Sequence, residues 1–313
     1  MQDLIGEAPT DASSATDRDS WLGLMAQVGN EEGFFQPVGS RHWAFFVDDS
    51  PTLLVSFETI ERARARPGQM PLAHDLAASK GWSHLCLISD GQTWYRDPAV
   101  YGYFDGLVDD AYFENFDRVL FYGAGPQSYA ACVFAVTAPG AQVLALNPVA
   151  TLDPRQTGWD DRYRRDRRLD FTSRYGYAPD MVEGTGQVTI LHDPGVKVDA
   201  MHAALFRSSF AQILPAHLGG ADLEQSLSRL GILPEVVIAA MEGTLTATSF
   251  AVSWRKRRDD ATYLKTLSQT VAVSGNLQRE IWLCSNVATR LKSNRFRKRL
   301  AELTAKADVT TKA

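Results

Sequence analysis

The chain predicts an α/β protein: a mostly parallel, doubly wound sheet with a helical C-terminal extension. Two observations carry that expectation. Over residues 84–215 short apolar runs (HLCLIS, RVLFY, VLALN, QVTILH and FAQIL) alternate with helical patterns, which is the signature of βαβ units and a parallel sheet. After His217 the strand signal stops and apolar residues recur at helical spacing through Leu223–Leu230, Leu233–Glu242, Tyr263–Val273 and Gln278–Arg290.

The elements follow in order. Residues 1–18 are acidic and rich in small residues, and are expected to be disordered. Trp21–Val28 suits a short helix. His42–Asp48 and Thr52–Phe57 are apolar runs flanking a DSP turn, so an antiparallel hairpin is expected. A helix is expected at Leu72–Lys80 after the Pro67-Gly68 break, then a strand at His84–Ser89 that is apolar on both faces. The stretch GQTWYRDPAVYGYFDGL reads as an aromatic loop. Strands at Arg118–Tyr122, Val143–Asn147, Gln187–His192 and Phe210–Leu214 alternate with helices at Ser128–Thr137 and Ala200–Ser208. The sheet domain is placed at 19–220, a helical module at 221–306 and a flexible tail at 307–313. Helix stops are expected at Gly231, Gly243 and Gly275. The pair 261–274 and 277–290 has spacing weakly similar to a tetratricopeptide repeat, and one pair is too little for an array.

Composition narrows the function classes. With 32 Lys and Arg against 37 Asp and Glu the net charge is -5, so no global basic field points to nucleic acid. Local basic runs occur at 162–168 and 290–299, suited to a solvated helix face or to an acidic partner. Cys86, Cys132 and Cys284 are far apart and form no CxxC pair. The N-terminus lacks a basic, then apolar, secretion signal, and no apolar run reaches membrane-helix length. A cytoplasmic protein without a membrane span is expected. The six histidines form no HxxxH or HExxH pattern, so no metal or cofactor is called for.

The informative stretch is VLFYGAGPQSYAA, Val119 to Ala131. A buried strand meets a glycine-rich turn and an alanine-rich helix, the layout on which a hydrolase exposes its serine. The pattern G-x-S-x-G is here Gly123, Ala124, Gly125, Pro126 and Gln127. Tyr122-Gly123, Tyr129-Ala130-Ala131 and the later VLALNPVATLDP resemble a branch of α/β-hydrolase-fold proteins whose elbow reads YGSSMGGYAA. The resemblance spans about residues 40–220 and implies a sheet of α/β-hydrolase type. It also implies an acid after a late strand, Asp193 in TILHDP, and a histidine after the last strand, His217 in LPAHLGG.

Gly125 cannot form an acyl-enzyme, and Pro126 has no N–H to steady an oxyanion. Ser128, three residues on, is the substitute nucleophile, or else a first-turn hydroxyl bonded to backbone. The expectation is therefore a catalytically degenerate protein that binds or scaffolds. The resemblance adds a link to surface-glycan or protein-export systems. The alternative is an active ester hydrolase using Ser128, Asp193 and His217. A second alternative reads Gly123-x-Gly125-x-x-Ser128 as a dinucleotide turn of an oxidoreductase. Trp94, Tyr95 and Arg96 are candidate ligand-wall residues, with Gly123, Gly125 and Gln127 at the turn. Asp199 is expected to cap the helix that carries His202. The helical module is the expected seat of a protein partner, and the crevice of a small-molecule ligand.

Overall fold

The computed structural model describes residues 11–312. They form two compact units that divide between Phe250 and Ala251. In the first, strands β1 (Gly33–Pro37), β2 (His42–Val47), β3 (Thr52–Thr59), β4 (Ser83–Ser89), β5 (Arg118–Ala124), β6 (Gln142–Leu146), β7 (Val188–His192) and β8 (Ala211–Pro215) form one sheet of order β1-β2-β4-β3-β5-β6-β7-β8. Pairing is antiparallel for β1–β2 and β2–β4 and parallel from there on.

The helices of this unit are α1 (Arg18–Glu32), α2 (Ile60–Arg64), α3 (Leu72–Lys80), α4 (Pro98–Asp109), α5 (Pro126–Phe134), α6 (Pro154–Thr157), α7 (Ala178–Met181), α8 (Lys197–Leu205), α9 (Leu223–Arg229), α10 (Leu233–Met241) and α11 (Ala247–Ser253), the last running across the unit boundary.

The strands are apolar on both faces because both faces are covered. Ala44, Phe46, Leu85 and Leu87 enter one core with Phe57, Phe104, Phe121 and Phe134. Their alternates Phe45, Cys86 and Ile88 enter another with Trp21 and Met25 of α1.

Several expectations are corrected. β2 and β3 do not form a hairpin: β2 pairs with β4, and β3 lies between β4 and β5. An eight-residue strand buried at every position but its first, including Ser56 and Glu58, belongs in the sheet centre, which a hairpin partner would deny it. The partner that β2 needs on its other side is β1, GFFQP. The aromatic loop contains helix α4, started by Pro98 at its first position and by the Asp97 side chain, which accepts from Ala99 N–H. Residues 11–17 are ordered against the core. Ala12 and Ala15 are buried, and Ala12 N–H donates to Gly68 O at 3.1 Å. Residues 1–10 lie outside the described residues.

The boundary expected at 220/221 falls instead at 250/251. Leu233, Val236, Val237 and Ala240 of α10 are buried, and α10 packs on β5 and β6. An amphipathic helix next to an open sheet face buries its stripe there. The second unit comprises α12 (Ala261–Val273), α13 (Leu277–Arg290) and α14 (Asn294–Lys312), around Leu264, Cys284, Val287, Phe296 and Leu303. The segment expected as a flexible tail continues α14 through Lys312; residue 313 lies outside the described residues.

Buried histidines make the fold acid-sensitive. Burial pushes His42 down to about 4 and His84 down to about 3, from an ordinary 6.5. Above 6.5 neither state binds these protons. Below it the unfolded chain binds them and the folded chain does not, so stability falls with falling pH. Urea midpoints at pH 7, 6 and 5 are expected to decrease stepwise. A flat profile would mean that both rings charge freely in the folded state.

Candidate functional site

The turn between β5 and α5 is built by three residues. A Cβ on Gly123 would come within 2.2 Å of Gln127 O and 2.8 Å of Ser128 N, so strand and helix pass too closely for any side chain there. Gly125 has φ 60° and ψ -127°, a corner that glycine adopts freely and a residue with a side chain only under strain. A Cβ on Gly125 would meet nothing within 4 Å. Pro126 then opens α5 at its first position. The turn is thus a tight strand-to-helix corner at the end of a central strand, without a side chain at its apex. The antiparallel β2, the crossed β4-β3 pair and this corner after β5 settle the architecture.

The fold is of α/β-hydrolase type. No family model matches the chain, and no curated protein matches it. Solved structures similar to it include carboxyl esterase 2 from Tuber melanosporum, at 12% identity and a TM-score of 0.43, over 67% of this chain and 83% of the other. MPT51 (FbpC1) of Mycobacterium tuberculosis is similar at 14% identity and a TM-score of 0.42, over 67% and 98%. An esterase domain of a Rhodothermus marinus protein is similar at 13% identity and a TM-score of 0.37, over 64% and 93%.

The three expected catalytic side chains sit as follows. Ser128 is fully buried. Its hydroxyl donates to Gly125 O at 2.6 Å and accepts from Val149 N–H at 3.1 Å, stitching the elbow to the loop after β6. This is the backbone-bonding role open to a first-turn serine. Asp193 follows β7 and is buried; its two oxygens accept from Gly195 N–H (2.8 Å) and Gly220 N–H (2.9 Å). His217 is exposed, just past β8. Among the described residues no hydrogen bond or ion pair joins Asp193 to His217.

Two of the amides a phosphate cradle would use at this turn are already taken, and a third is missing. Gly125 N–H donates to Leu146 O at 2.8 Å and Ser128 N–H to Gly125 O at 3.0 Å, and Pro126 has none.

Beside the turn lies a charged cluster that sequence reading missed. Gln127, Glu58 and Glu224 are buried. Arg62 of α2 donates to Gln127 Oε1 at 3.2 Å and pairs with Glu224 and, at 3.3 Å, with Glu58. Arg66 pairs with Glu58 at 2.7 Å, and Tyr122 O–H donates to Glu224 Oε1 at 2.6 Å. Burial pushes the Glu224 carboxyl up; Arg62 opposes that rise and Glu58 adds to it. Two arginines against two carboxylates leave no net charge beside the elbow. The E-x-x-x-R-x-x-x-R spacing of Glu58, Arg62 and Arg66 was visible in the sequence, but their partner on α9 was not.

The aromatic wall is core. Trp94 and Tyr95 are fully buried, both at positive φ (57° and 54°). The Trp94 indole N–H donates to Asp166 Oδ2 at 2.9 Å and the Tyr95 hydroxyl to Glu58 O at 2.9 Å. Trp94 meets Tyr129, Tyr163 and Phe171 edge to face. The expectation that Trp94 and Tyr95 face a ligand is therefore corrected: large apolar rings in a tightly turned loop gain more by packing on the sheet. Arg96 clamps the following segment, donating to Asp170 O and Arg174 O, each at 2.7 Å.

A second buried network anchors the loops after β6. Asp160, Asp199 and His202 are fully buried. His202 Nδ1 accepts from Ala150 N–H at 3.2 Å, which leaves the Nε2 proton to bond Asp160 Oδ2 at 2.9 Å. Arg162 grips Asp160 through Nε and Nη2, and Asp199 through Nη1 at 2.6 Å. Burial works against the Asp160 charge, but the bonds from His202 and Arg162 prevail and hold its carboxyl low. Asn147 donates to Asp199 Oδ2 at 2.7 Å and accepts from Leu223 N–H at 2.8 Å, tying in the start of α9. Asp199 does not cap α8. The cap position is Val196, and the Asp199 carboxylate is drawn across to Arg162 and Asn147. Among the described residues no group of three or more side chains could hold a metal ion, and no helix is long and apolar enough to cross a membrane.

Proposed function

We propose that this protein is a catalytically degenerate member of the α/β-hydrolase architecture that binds or scaffolds rather than hydrolyses. One observation carries the reading: the elbow keeps its tight shape, while its apex is Gly125 and the next residue is Pro126. Ester hydrolysis at an elbow needs an oxygen nucleophile and an N–H just behind it. The loss of one such donor alone costs about 3–4 kcal/mol in the transition state. The bonds of Ser128 to Gly125 O and Val149 N–H support the same reading, because attack through its hydroxyl would break both. Asp193, with both oxygens on backbone amides, acts as a brace between the β7 and β8 loops. The crevice remains the proposed seat of a small ligand. The link to surface-glycan or export systems is part of the proposal; an unchanged cell surface in a deletion strain would remove it.

The test is active-site labelling. A fluorophosphonate probe is expected to leave the protein unmodified, with ester turnover at the buffer rate. A covalent adduct on Ser128, lost in Ser128→Ala, would overturn the proposal. A sharper expectation concerns Gly125→Ser. There is room for the side chain, so the variant is expected to fold at a backbone cost of about 1–3 kcal/mol. It is expected to stay inactive toward p-nitrophenyl esters, because Pro126 still supplies no donor and Asp193, held on two backbone amides, orients no histidine. Turnover by that single variant would show that neither the missing amide nor the placement of Asp193 disables the site.

A further inference from the structure

The net charge of -5 conceals a division along the chain. Residues 251–313 hold 14 of the 32 Lys and Arg but only 5 of the 37 Asp and Glu, leaving +9 there and -14 on residues 1–250. The second unit gathers its basic runs. Arg290, at the end of α13, pairs with Asp259 and donates to Arg258 O at 2.6 Å, which brings the 254–259 turn beside the start of α14. Arg255, Arg258, Lys292, Arg295, Arg297 and Lys298 are all exposed there.

The helix dipole does not favour this placement. Arg295, Arg297 and Lys298 crowd the first turns of α14, the positive end of its dipole, where cations are disfavoured; Arg299 beside them is paired with Glu280 at 2.8 Å and Glu302 at 3.0 Å. Arg295 and Lys298 also line a cleft of about 550 Å³ that runs past Ser268 and Gln269 of α12, with Glu280 and Glu302 in its wall paired to Arg299. Along α13, Trp282 stands 65% exposed, between Arg279 one turn before it and Arg290 two turns after it. The ridge from Arg279 to Arg290 is roughly 16 Å long at 1.5 Å per residue.

We propose that unit 251–313 binds single-stranded nucleic acid. The basic cluster takes the phosphodiester backbone and Trp282 stacks on a base. Cations in a row with one exposed aromatic are the chemistry that recognises a single strand without reading its sequence. A lipid surface fits less well. The exposed face of α13 is Gln278, Arg279, Ser285, Asn286 and Arg290 around Trp282, too polar to enter a bilayer interface. The expectation of no nucleic-acid partner came from the whole-chain charge and is revised here. The inference stands whether or not the elbow is catalytic.

The experiment is fluorescence anisotropy of a fluorescein-labelled 20-nucleotide oligouridylate titrated with the full chain between 50 and 200 mM salt. Saturable binding is expected, weakening steeply with salt. The triple charge reversal Arg295→Glu, Arg297→Glu, Lys298→Glu is expected to weaken it at least tenfold and flatten the salt dependence. Glutamates suit that end of the helix, so the variant is expected to keep its helical circular dichroism. Trp282→Ala, at an exposed site, is expected to weaken binding about 5- to 100-fold with the salt slope unchanged. Three results would each overturn the proposal: no binding at 50 mM salt, binding indifferent to the triple reversal, or co-sedimentation with phosphatidylserine vesicles without oligonucleotide binding. If Trp282→Ala left affinity intact, the stacking role would fall, and with it the choice of a single strand.

Discussion

Replacing Asp199 with alanine is expected to lower the unfolding free energy by about 3–5 kcal/mol, the usual consequence of removing one partner from a buried ion pair. The urea midpoint should fall while the slope stays constant. The carboxylate is fully buried and holds Arg162 at 2.6 Å and Asn147 at 2.7 Å. Without it, Arg162 keeps only Asp160, and the Asn147 amide, which also fixes Leu223 N–H, faces a hole. The loops after β6 and β8 and the start of α9 are joined through these side chains, so the damage should reach the rim of the elbow. A double-mutant cycle with Arg162→Ala separates the pair from its surroundings. A loss below about 1 kcal/mol would show that Arg162, whose side chain is partly exposed, turns to water and that the network is not what holds the rim.

The second large effect is expected at Trp94. Trp94→Ala should cost about 3–5 kcal/mol, as for other buried large aromatics, because the ring is fully enclosed and packs on Tyr129, Tyr163 and Phe171. The backbone adds a discriminating control. With φ at 57° the position suits glycine, so Trp94→Gly should recover about 1 kcal/mol relative to Trp94→Ala, although it removes one more carbon. A ligand-facing indole would behave differently: both variants would keep near-parental stability and lose ligand affinity. That outcome would return Trp94 to the binding surface from which its burial removes it.

What could be read in the sequence followed from local chemistry. The turn at Gly123–Gln127, the apolar strands on either side of it, and the glycine stops at Gly231, Gly243 and Gly275 each depend on neighbours a few residues away. All three stops are found at positive φ. What could not be read depends on partners distant in the chain. β2 and β3 are adjacent in sequence and separated in the sheet by β4. Glu224 pairs with an arginine 162 residues before it. Helix α4 was hidden by Gly102, Gly106 and its tyrosines, which are poor local helix formers and are carried by the packing of Val100 and Phe104 into the core. Trp94 and Tyr95 misled because an aromatic loop at the carboxyl end of a strand has the same composition whether it faces a crevice or closes a core.

The geometry at Gly125 also constrains descent. Open space above the apex means that a hydroxymethyl group could be placed there by one substitution without meeting any neighbour. That step alone would bring natural selection nothing to act on, because the ring of Pro126 still occupies the place of the amide. Among the described residues no bond joins Asp193 to His217 either, so a hydroxyl at position 125 would meet neither an oxyanion amide nor a base held by an acid.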